Sequence, residues 1–102
     1  SLLVRAAGPA LADFGVEGAL ANPLLRLFRG TRAIAENDDW SATSQAASIE
    51  ARAREIFAFP LANGSRDAAL LVTLPPGNYS VQVSGAGAVR TGVGLVELYE
   101  LR

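Results

Sequence analysis

The chain has 102 residues, of which 50% are hydrophobic and 19% are charged, and its formal net charge is -1. This length and composition predict a single folded domain spanning residues 1–102, and they exclude a disordered chain or two independent cores. The sequence contains no His and no Cys, which excludes nucleophiles activated by imidazole, disulfides, and metal sites built on thiolate or imidazole ligands.

The basic residues are all arginine, which excludes chemistry that needs a lysine, such as a Schiff base or a phosphate-binding P-loop. They are scattered from Arg5 to Arg102 and are balanced by ten carboxylates, so we expect no nucleic-acid surface. The apolar stretches are far shorter than the ~20 residues that cross a bilayer, and we therefore expect no membrane insertion.

The first third of the chain predicts three strands. Leu2–Ala7 is a strand that Gly8 and Pro9 end, because proline has no amide hydrogen to donate to a continuing ladder. Residues 10–22 form a connection, with one helical turn at residues 11–14. Residues 24–28 and 31–35 are then predicted to form a hairpin that turns at residues 29–31.

The middle of the chain predicts an amphipathic helix over residues 44–57. Apolar side chains recur there at spacings of three and four, with charged residues between them. Glu50 and Arg54 lie four apart in the order that favours an ion pair on one helix face. Pro60 ends this segment, and Asn63-Gly64-Ser65 predicts a turn.

The last third predicts three more strands, over residues 68–74, 79–84 and 93–101, with a turn at residues 85–88. The final strand is apolar on both faces, which predicts a central strand or one that is covered on both sides. The whole pattern predicts a mainly β fold: a small antiparallel β-sandwich, jelly-roll or immunoglobulin-like, with the helix as a lid over an open end.

Four segments of the chain resemble a β-sandwich module that occurs, repeated or at the C-terminus, in large secreted bacterial proteins. They lie within residues 5–16, 25–40, 66–79 and 91–99 and include the sequences RAAGPAL, LRLF, RDAALLVTLPPGNY and TGVGLVELY. Residues 25–39 and the turn at residues 76–79 are more distantly similar to the bacterial pre-peptidase C-terminal domain, a β-sandwich appended to exported enzymes. The resemblance implies an accessory module that is secreted or displayed on the cell surface.

One candidate metal site stands out in the sequence. Asn37, Asp38 and Asp39 form a cluster of oxygen ligands that could hold Ca²⁺ together with Glu36 or Asp67. The alternative, which the shortness of the ligand series favours, is that Asn and Asp form local turns or cap the following helix. We therefore expect either no cofactor or calcium.

Two aromatic residues are candidates for ligand binding. Trp40 or Tyr99, if exposed, could stack on a sugar face as part of a shallow glycan platform. The alternative for Trp40 is burial at the edge of the core, which is favoured because large aromatic side chains contribute most by packing.

Catalysis is not predicted. The carboxylate pairs Asp38/Asp39 and Glu97/Glu100 do not have the spacing of an acid and a nucleophile that face each other across a bond. We expect a non-catalytic module that assembles with copies of itself or with neighbouring domains through strand edges, or acts as a spacer. The alternative is a carbohydrate-binding module of a secreted enzyme that acts on polysaccharides.

Overall fold

The computed structural model describes residues 1–87 and 91–101. Within these ranges the chain forms six strands, one α-helix and two short 3-10 helices. They are β1 (Leu2–Ala7), a 3-10 helix (Pro9–Phe14), β2 (Pro23–Arg29), β3 (Arg32–Asn37), a 3-10 helix (Trp40–Ala42), α1 (Ala46–Glu55), β4 (Ala68–Val72), β5 (Tyr79–Gly85) and β6 (Leu95–Glu100). The predicted mainly β fold is confirmed. The predicted turn at residues 85–88 reaches residue 88, which lies outside the described residues.

The strands form two three-stranded antiparallel sheets. The first sheet has the order β4-β1-β6 and the second has the order β3-β2-β5. β1 and β2 are therefore the central strands. The register between β2 and β3 shifts at Leu27 and Phe28, which is a β-bulge within the hairpin.

The two sheets pack face to face. Alternate side chains of β1 point toward the second sheet, because successive residues of a strand face opposite sides. They share one core with residues of β2 and β4: Val4, Ala6, Leu25, Leu27, Ala68 and Leu70. The opposite face of the second sheet carries the exposed ion pair between Arg26 and Glu36 and is open to solvent.

The helix α1 covers the outer face of the first sheet. Side chains from α1, the second 3-10 helix and the first sheet form a second core, which contains Leu3, Trp40, Ile49, Ala53, Ala69 and Leu101. The prediction that the helix closes an open end of the sandwich is therefore wrong. The small side chains Ala53 of α1 and Ala69 of β4 are both part of this second core, so the molecule has three layers.

The prediction that the last strand is central or covered on both sides is also wrong. β6 lies at one end of the first sheet, beside β1. The exposed fractions of Leu95, Val96 and Leu98 are 43%, 44% and 58%. An apolar pattern on both faces predicts contact on both faces, but it does not distinguish contacts within the chain from contacts with another molecule.

A close backbone contact fixes the loop that precedes β2. A Cβ atom on Gly8 would lie 2.2 Å from the carbonyl oxygen of Leu20, so only glycine fits at this position. The Leu20 amide in turn donates to the carbonyl of Val93, at 2.7 Å. These contacts hold the segment before β6 and the segment after β1 against the loop at Leu20.

Candidate functional site

The candidate functional site is the outer edge of β6, which we call the β6 edge and define as residues 95–100. β1 pairs with one side of this strand, and in the part of the chain that the structure describes no strand pairs with the other side. The β6 edge therefore presents unpaired backbone groups next to exposed apolar side chains, which is the arrangement that recruits another strand.

The backbone groups that point outward can be assigned from the register. The Leu101 amide donates to the carbonyl of Ser1, at 2.8 Å, so these two residues form a hydrogen-bonded pair of the ladder. Hydrogen-bonded and non-hydrogen-bonded pairs alternate in an antiparallel ladder. Tyr99 and Glu97 therefore bond to β1, whereas the backbone groups of Val96, Leu98 and Glu100 face away from it.

The side chains of the β6 edge border an opening between the two sheets. Val96 and Leu98 share a face with Val4, because they are paired with Ala6 and Val4 of β1. This face points toward the second sheet, where Val81 and Val83 of β5 are half-buried. β3 and β4 contact each other on the opposite side, whereas no strand or helix of the described residues covers the apolar interior along β5 and β6.

Next to this edge, Arg5 lies fully buried in the middle of β1. Its Nε atom donates to Oε1 of Glu97, at 3.1 Å, and its Nη1 atom donates to the carbonyl of Phe59, at 2.7 Å. The guanidinium also stacks on the Phe59 ring, with 4.4 Å between its central carbon and the ring centroid. A buried charge requires such partners, because leaving it unpaired costs several kcal/mol, about 3–5.

Tyr99 completes this network. Its hydroxyl donates to Oε2 of Glu97. This hydrogen bond, together with burial and the negative charge of Glu97, raises the pKa of Tyr99 above its ordinary value, and the charge of Arg5 opposes the effect. Tyr99 is only half-buried, but its hydroxyl is engaged within the chain rather than presented as part of a glycan platform.

Trp40 does not form an exposed platform. Its exposed fraction is 2%, and its indole Nε1 atom donates to the carbonyl of Ala62, at 3.0 Å. The alternative that places Trp40 at the edge of the core is therefore confirmed, and its assignment as a stacking surface for sugars is wrong. Carbohydrate binding by this chain stays a prediction to which no residue is assigned.

One residue of the predicted calcium site, Asn37, is held by structural contacts. Oδ1 of Asn37 accepts a hydrogen bond from the Ala69 amide, at 3.0 Å, and its Nδ2 atom donates to the carbonyl of Asp39, at 3.1 Å. Asp38 is exposed, and Glu36 pairs with Arg26. Across residues 1–87 and 91–101, no group of three acidic, His or Cys side chains could hold a metal ion. The contacts of Asn37 support the alternative in which this segment is a turn.

Asp67, the other suggested ligand, is fully buried and has a structural role. Its Oδ1 atom accepts hydrogen bonds from the amides of Gly8 and Ala10, at 2.7 and 3.1 Å, and its Oδ2 atom accepts one from the Ser65 hydroxyl, at 2.8 Å. This carboxylate joins the end of β1 to the segment that precedes β4.

The buried roles of Arg5 and Asp67 were not predicted from the sequence. One signal was present for Arg5, because it is the only charged residue in the apolar strand Leu2–Ala7, and a charge in a buried strand requires a partner. Glu97 is likewise a charged residue inside the last predicted strand, which is apolar on both faces. The pairing of these strands, which aligns the two residues, was not predictable from spacing.

Comparisons with protein-family models, with curated proteins and with solved structures find no match to this chain. Among the described residues, no helix is long and apolar enough to span a bilayer.

Proposed function

We propose that this chain is a non-catalytic assembly module of a secreted or cell-surface bacterial protein, and that two copies of it pair through the β6 edge. The observation that carries the proposal is the combination of unpaired outward backbone groups and half-exposed apolar side chains at Val96 and Leu98. The bacterial and extracellular setting depends on the resemblance of the sequence to modules of secreted proteins.

A second copy is a suitable occupant because the β6 edge is complementary to itself. An antiparallel pairing centred on Leu98 places Leu98 opposite the same residue of the second copy, and Val96 opposite Glu100. All three residues that face outward then bond to one another. Glu97 lies opposite Tyr99 in this register, so no carboxylates are directly opposed. A register centred on Glu97 would oppose two carboxylates and is disfavoured.

This pairing would join the two first sheets into one sheet of six strands around a twofold axis. Dimers with a twofold axis are the commonest symmetric oligomers of soluble proteins. The pairing of the two β6 edges also covers Leu98 of each copy at the opening between the sheets. The burial of half-exposed Val and Leu side chains contributes about 1 kcal/mol for each of them.

Light scattering coupled to size-exclusion chromatography tests the proposal over a range of protein concentrations. We expect the mass to rise from the monomer value of 10.6 kDa to twice that value. Leu98→Lys should hold the protein at the monomer mass, because it introduces a charge on the twofold axis. Ile34→Lys, a substitution of an exposed apolar residue on the edge strand β3, is the matched control and should leave the dimer intact.

Circular dichroism should show that both variants keep their strand content. A wild-type protein that stays at the monomer mass at every concentration would overturn the proposal. Equal loss of the dimer in Ile34→Lys and Leu98→Lys would also overturn it, because the interface would then not lie at the β6 edge.

A further inference from the structure

The outer edge of β5, which we call the β5 edge and define as residues 79–85, is a second unpaired edge of the sandwich. β2 pairs with one side of this strand, and no strand of the described residues pairs with the other side. β1 contacts β2, and β4 contacts β3. β6 and β5, on the other side of β1 and β2, therefore present their unpaired edges along the same side of the molecule.

The backbone groups that point outward from β5 follow from its register. The Ala86 amide donates to the carbonyl of Asn22, at 2.8 Å, and the register of β2 and β5 continues this pair. Hydrogen-bonded and non-hydrogen-bonded pairs alternate in an antiparallel ladder, so the even-numbered residues of β5 bond to β2. The backbone groups of Val81 and Val83 face away from β2 and have no hydrogen bond among the described residues.

The β5 edge lacks the residues that protect an edge strand. Its sequence, YSVQVSG, contains no charged residue and no proline. Edge strands that stay unpaired usually carry such residues, because an unprotected edge recruits another strand. β3, at the other edge of the same sheet, carries Arg32 and Glu36. The second sheet therefore protects one of its edges with charges and leaves the β5 edge available for pairing.

The side chains of the β5 edge border the same opening as those of the β6 edge. Val81 and Val83 are half-buried and pack against the core between the two sheets. Val96 and Leu98 face this opening from β6. On both edges, the residues whose backbone groups point outward thus carry apolar side chains that point toward the opening. A partner that pairs with both edges would cover the backbone groups and the opening together.

The two central strands fix the relative level of the two edges. Pro23, at the start of β2, lies beside Gly8, directly after β1, since a Cβ atom on Gly8 would lie 3.0 Å from Cδ of Pro23. Val4 precedes Gly8 by four residues. Leu27 follows Pro23 by four residues on a strand that runs the other way, so Val4 and Leu27 reach the same level of the core that they share.

The edge strands inherit this alignment. Val4 is paired with Leu98 of β6, and Leu27 is paired with Val81 of β5. Leu98 and Val81 therefore lie at the same level of the two sheets. The twofold axis that passes beside Leu98 crosses the stacked sheets, so it meets the second sheet beside Val81.

We propose that two copies of this chain also pair through the β5 edge, so that both sheets continue across one twofold axis. The pairing is antiparallel and centred on Val81, which lies opposite the same residue of the second copy, while Tyr79 lies opposite Val83. The outward groups of these three residues then bond to one another. No like charges are opposed, because the strand carries no charge. This inference rests on the proposed pairing through the β6 edge, which it extends from one sheet to both.

Disulfide cross-linking tests the proposal, because the chain has no cysteine of its own. Residues directly opposed in a hydrogen-bonded antiparallel pair have Cα atoms about 5.5 Å apart, which is within the range of a disulfide. We expect Val81→Cys to form a covalent dimer when it is treated with oxidised glutathione, as measured on a non-reducing gel.

Val83→Cys is the matched control on the same strand. In the proposed register the two copies of residue 83 are separated by four positions along the strand, or roughly 14 Å, which a disulfide does not span. This variant should form at least about tenfold less covalent dimer than Val81→Cys. Equal cross-linking of the two variants would overturn the proposal, because the β5 edges would then meet in no fixed register.

The Leu98→Lys background links the two edges. Val81→Cys should lose its covalent dimer there, because this background is expected to hold the protein at the monomer mass. Unchanged cross-linking of Val81→Cys in the presence of Leu98→Lys would overturn the proposal, since the contact at β5 would then not belong to the dimer that pairs through the β6 edge.

Amide hydrogen exchange of the wild-type protein decides the proposal even if the cysteine variants do not fold. At a concentration that gives the dimer mass, the amides of residues 81 and 83 should exchange at least about tenfold more slowly than in the Leu98→Lys monomer. Protection of residues 96, 98 and 100 without protection of residues 81 and 83 would overturn this inference and leave the pairing through the β6 edge intact. A wild-type protein that stays at the monomer mass at every concentration would overturn both.

Discussion

The ion pair between Arg5 and Glu97 organises the face of the first sheet that lies under α1. The two residues are direct partners in the register of β1 and β6, and Tyr99 bonds to the same carboxylate from two positions farther along β6. Three polar side chains therefore form one connected network in a largely apolar setting. Such a network stabilises the fold only while each member retains its partner.

The raised pKa of Tyr99 makes stability depend on pH in the alkaline range. An unperturbed tyrosine titrates near pH ~10, so above that pH the unfolded chain loses this proton before the folded chain does. The folded state then binds more protons, and the free energy of unfolding falls as the pH rises. The contribution of Tyr99 is complete below pH ~10 and is lost as the pH rises through the pKa of the folded state.

Urea unfolding at a series of alkaline pH values measures this effect. We expect Tyr99→Phe to show a shallower alkaline loss of stability than the wild type, because the titrating group is gone. Tyr79→Phe is the control, since its hydroxyl donates instead to the carbonyl of Pro75 and Tyr99 is retained. Identical alkaline slopes in the wild type and Tyr99→Phe would contradict the prediction.

At the scale of single elements, the C-terminal end of α1 carries a strained residue. The Phe57 amide donates to the carbonyl of Arg54, and the Ala58 amide donates to the carbonyl of Ala53, which are the two bonds of a Schellman motif. Phe57 occupies the left-handed position of this motif, with φ of 59°, where glycine is the usual residue. Its side chain is 94% exposed, so no packing compensates for the strain.

Substitution of this residue should stabilise the protein. We expect Phe57→Gly to raise the free energy of unfolding by about 1 kcal/mol, because glycine adopts the left-handed conformation without the clash of a Cβ atom. Phe57→Ala keeps that clash and removes the same ring, so it should change stability by less than about 0.5 kcal/mol. Denaturant unfolding of both variants measures the difference. Equal effects of Gly and Ala would show that the ring, and not the backbone, determines the result.

At the scale of the whole molecule, the described residues close the sandwich on one side and leave it open on the other. On the closed side, Asn37 of β3 accepts a hydrogen bond from the Ala69 amide and so covers the edge of β4. On the open side, no described side chain makes an equivalent bond to the outward backbone groups of β6. One edge of the first sheet is thus partly covered by a side chain, whereas the outward backbone groups of the other edge have no such bond among the described residues.

Amide hydrogen exchange should reveal this asymmetry. In the Leu98→Lys monomer we expect rapid exchange at residues 96, 98 and 100, and slow exchange at Glu97 and Tyr99, whose amides bond to β1. In the wild-type protein at high concentration, residues 96, 98 and 100 should become protected as well. Uniform protection along β6 in the monomer would contradict the assignment of its outward groups.

Much of the architecture was predictable from local sequence. Gly and Pro residues divide the chain into short apolar segments, and the spacing of the apolar positions distinguishes α1 from the strands, because the two structures repeat every 3.6 and 2 residues. The six strands and the helix follow from these local rules, as does the exclusion of catalysis that needs His, Cys or Lys. The exclusion holds because it concerns which residues are present and not where they lie.

The candidate site could be identified only from the tertiary structure. The doubly apolar pattern of the last strand is compatible with a central strand and with an exposed edge, and only the strand order places it at the edge. The partners of Arg5, Asn37 and Asp67 lie 92, 32 and up to 59 residues away in the chain. Local spacing carries no information about such contacts, because they are set by strand pairing and by packing between the sheets. The sequence by itself determined the strands and the helix. The tertiary structure decided which of their faces and edges are exposed.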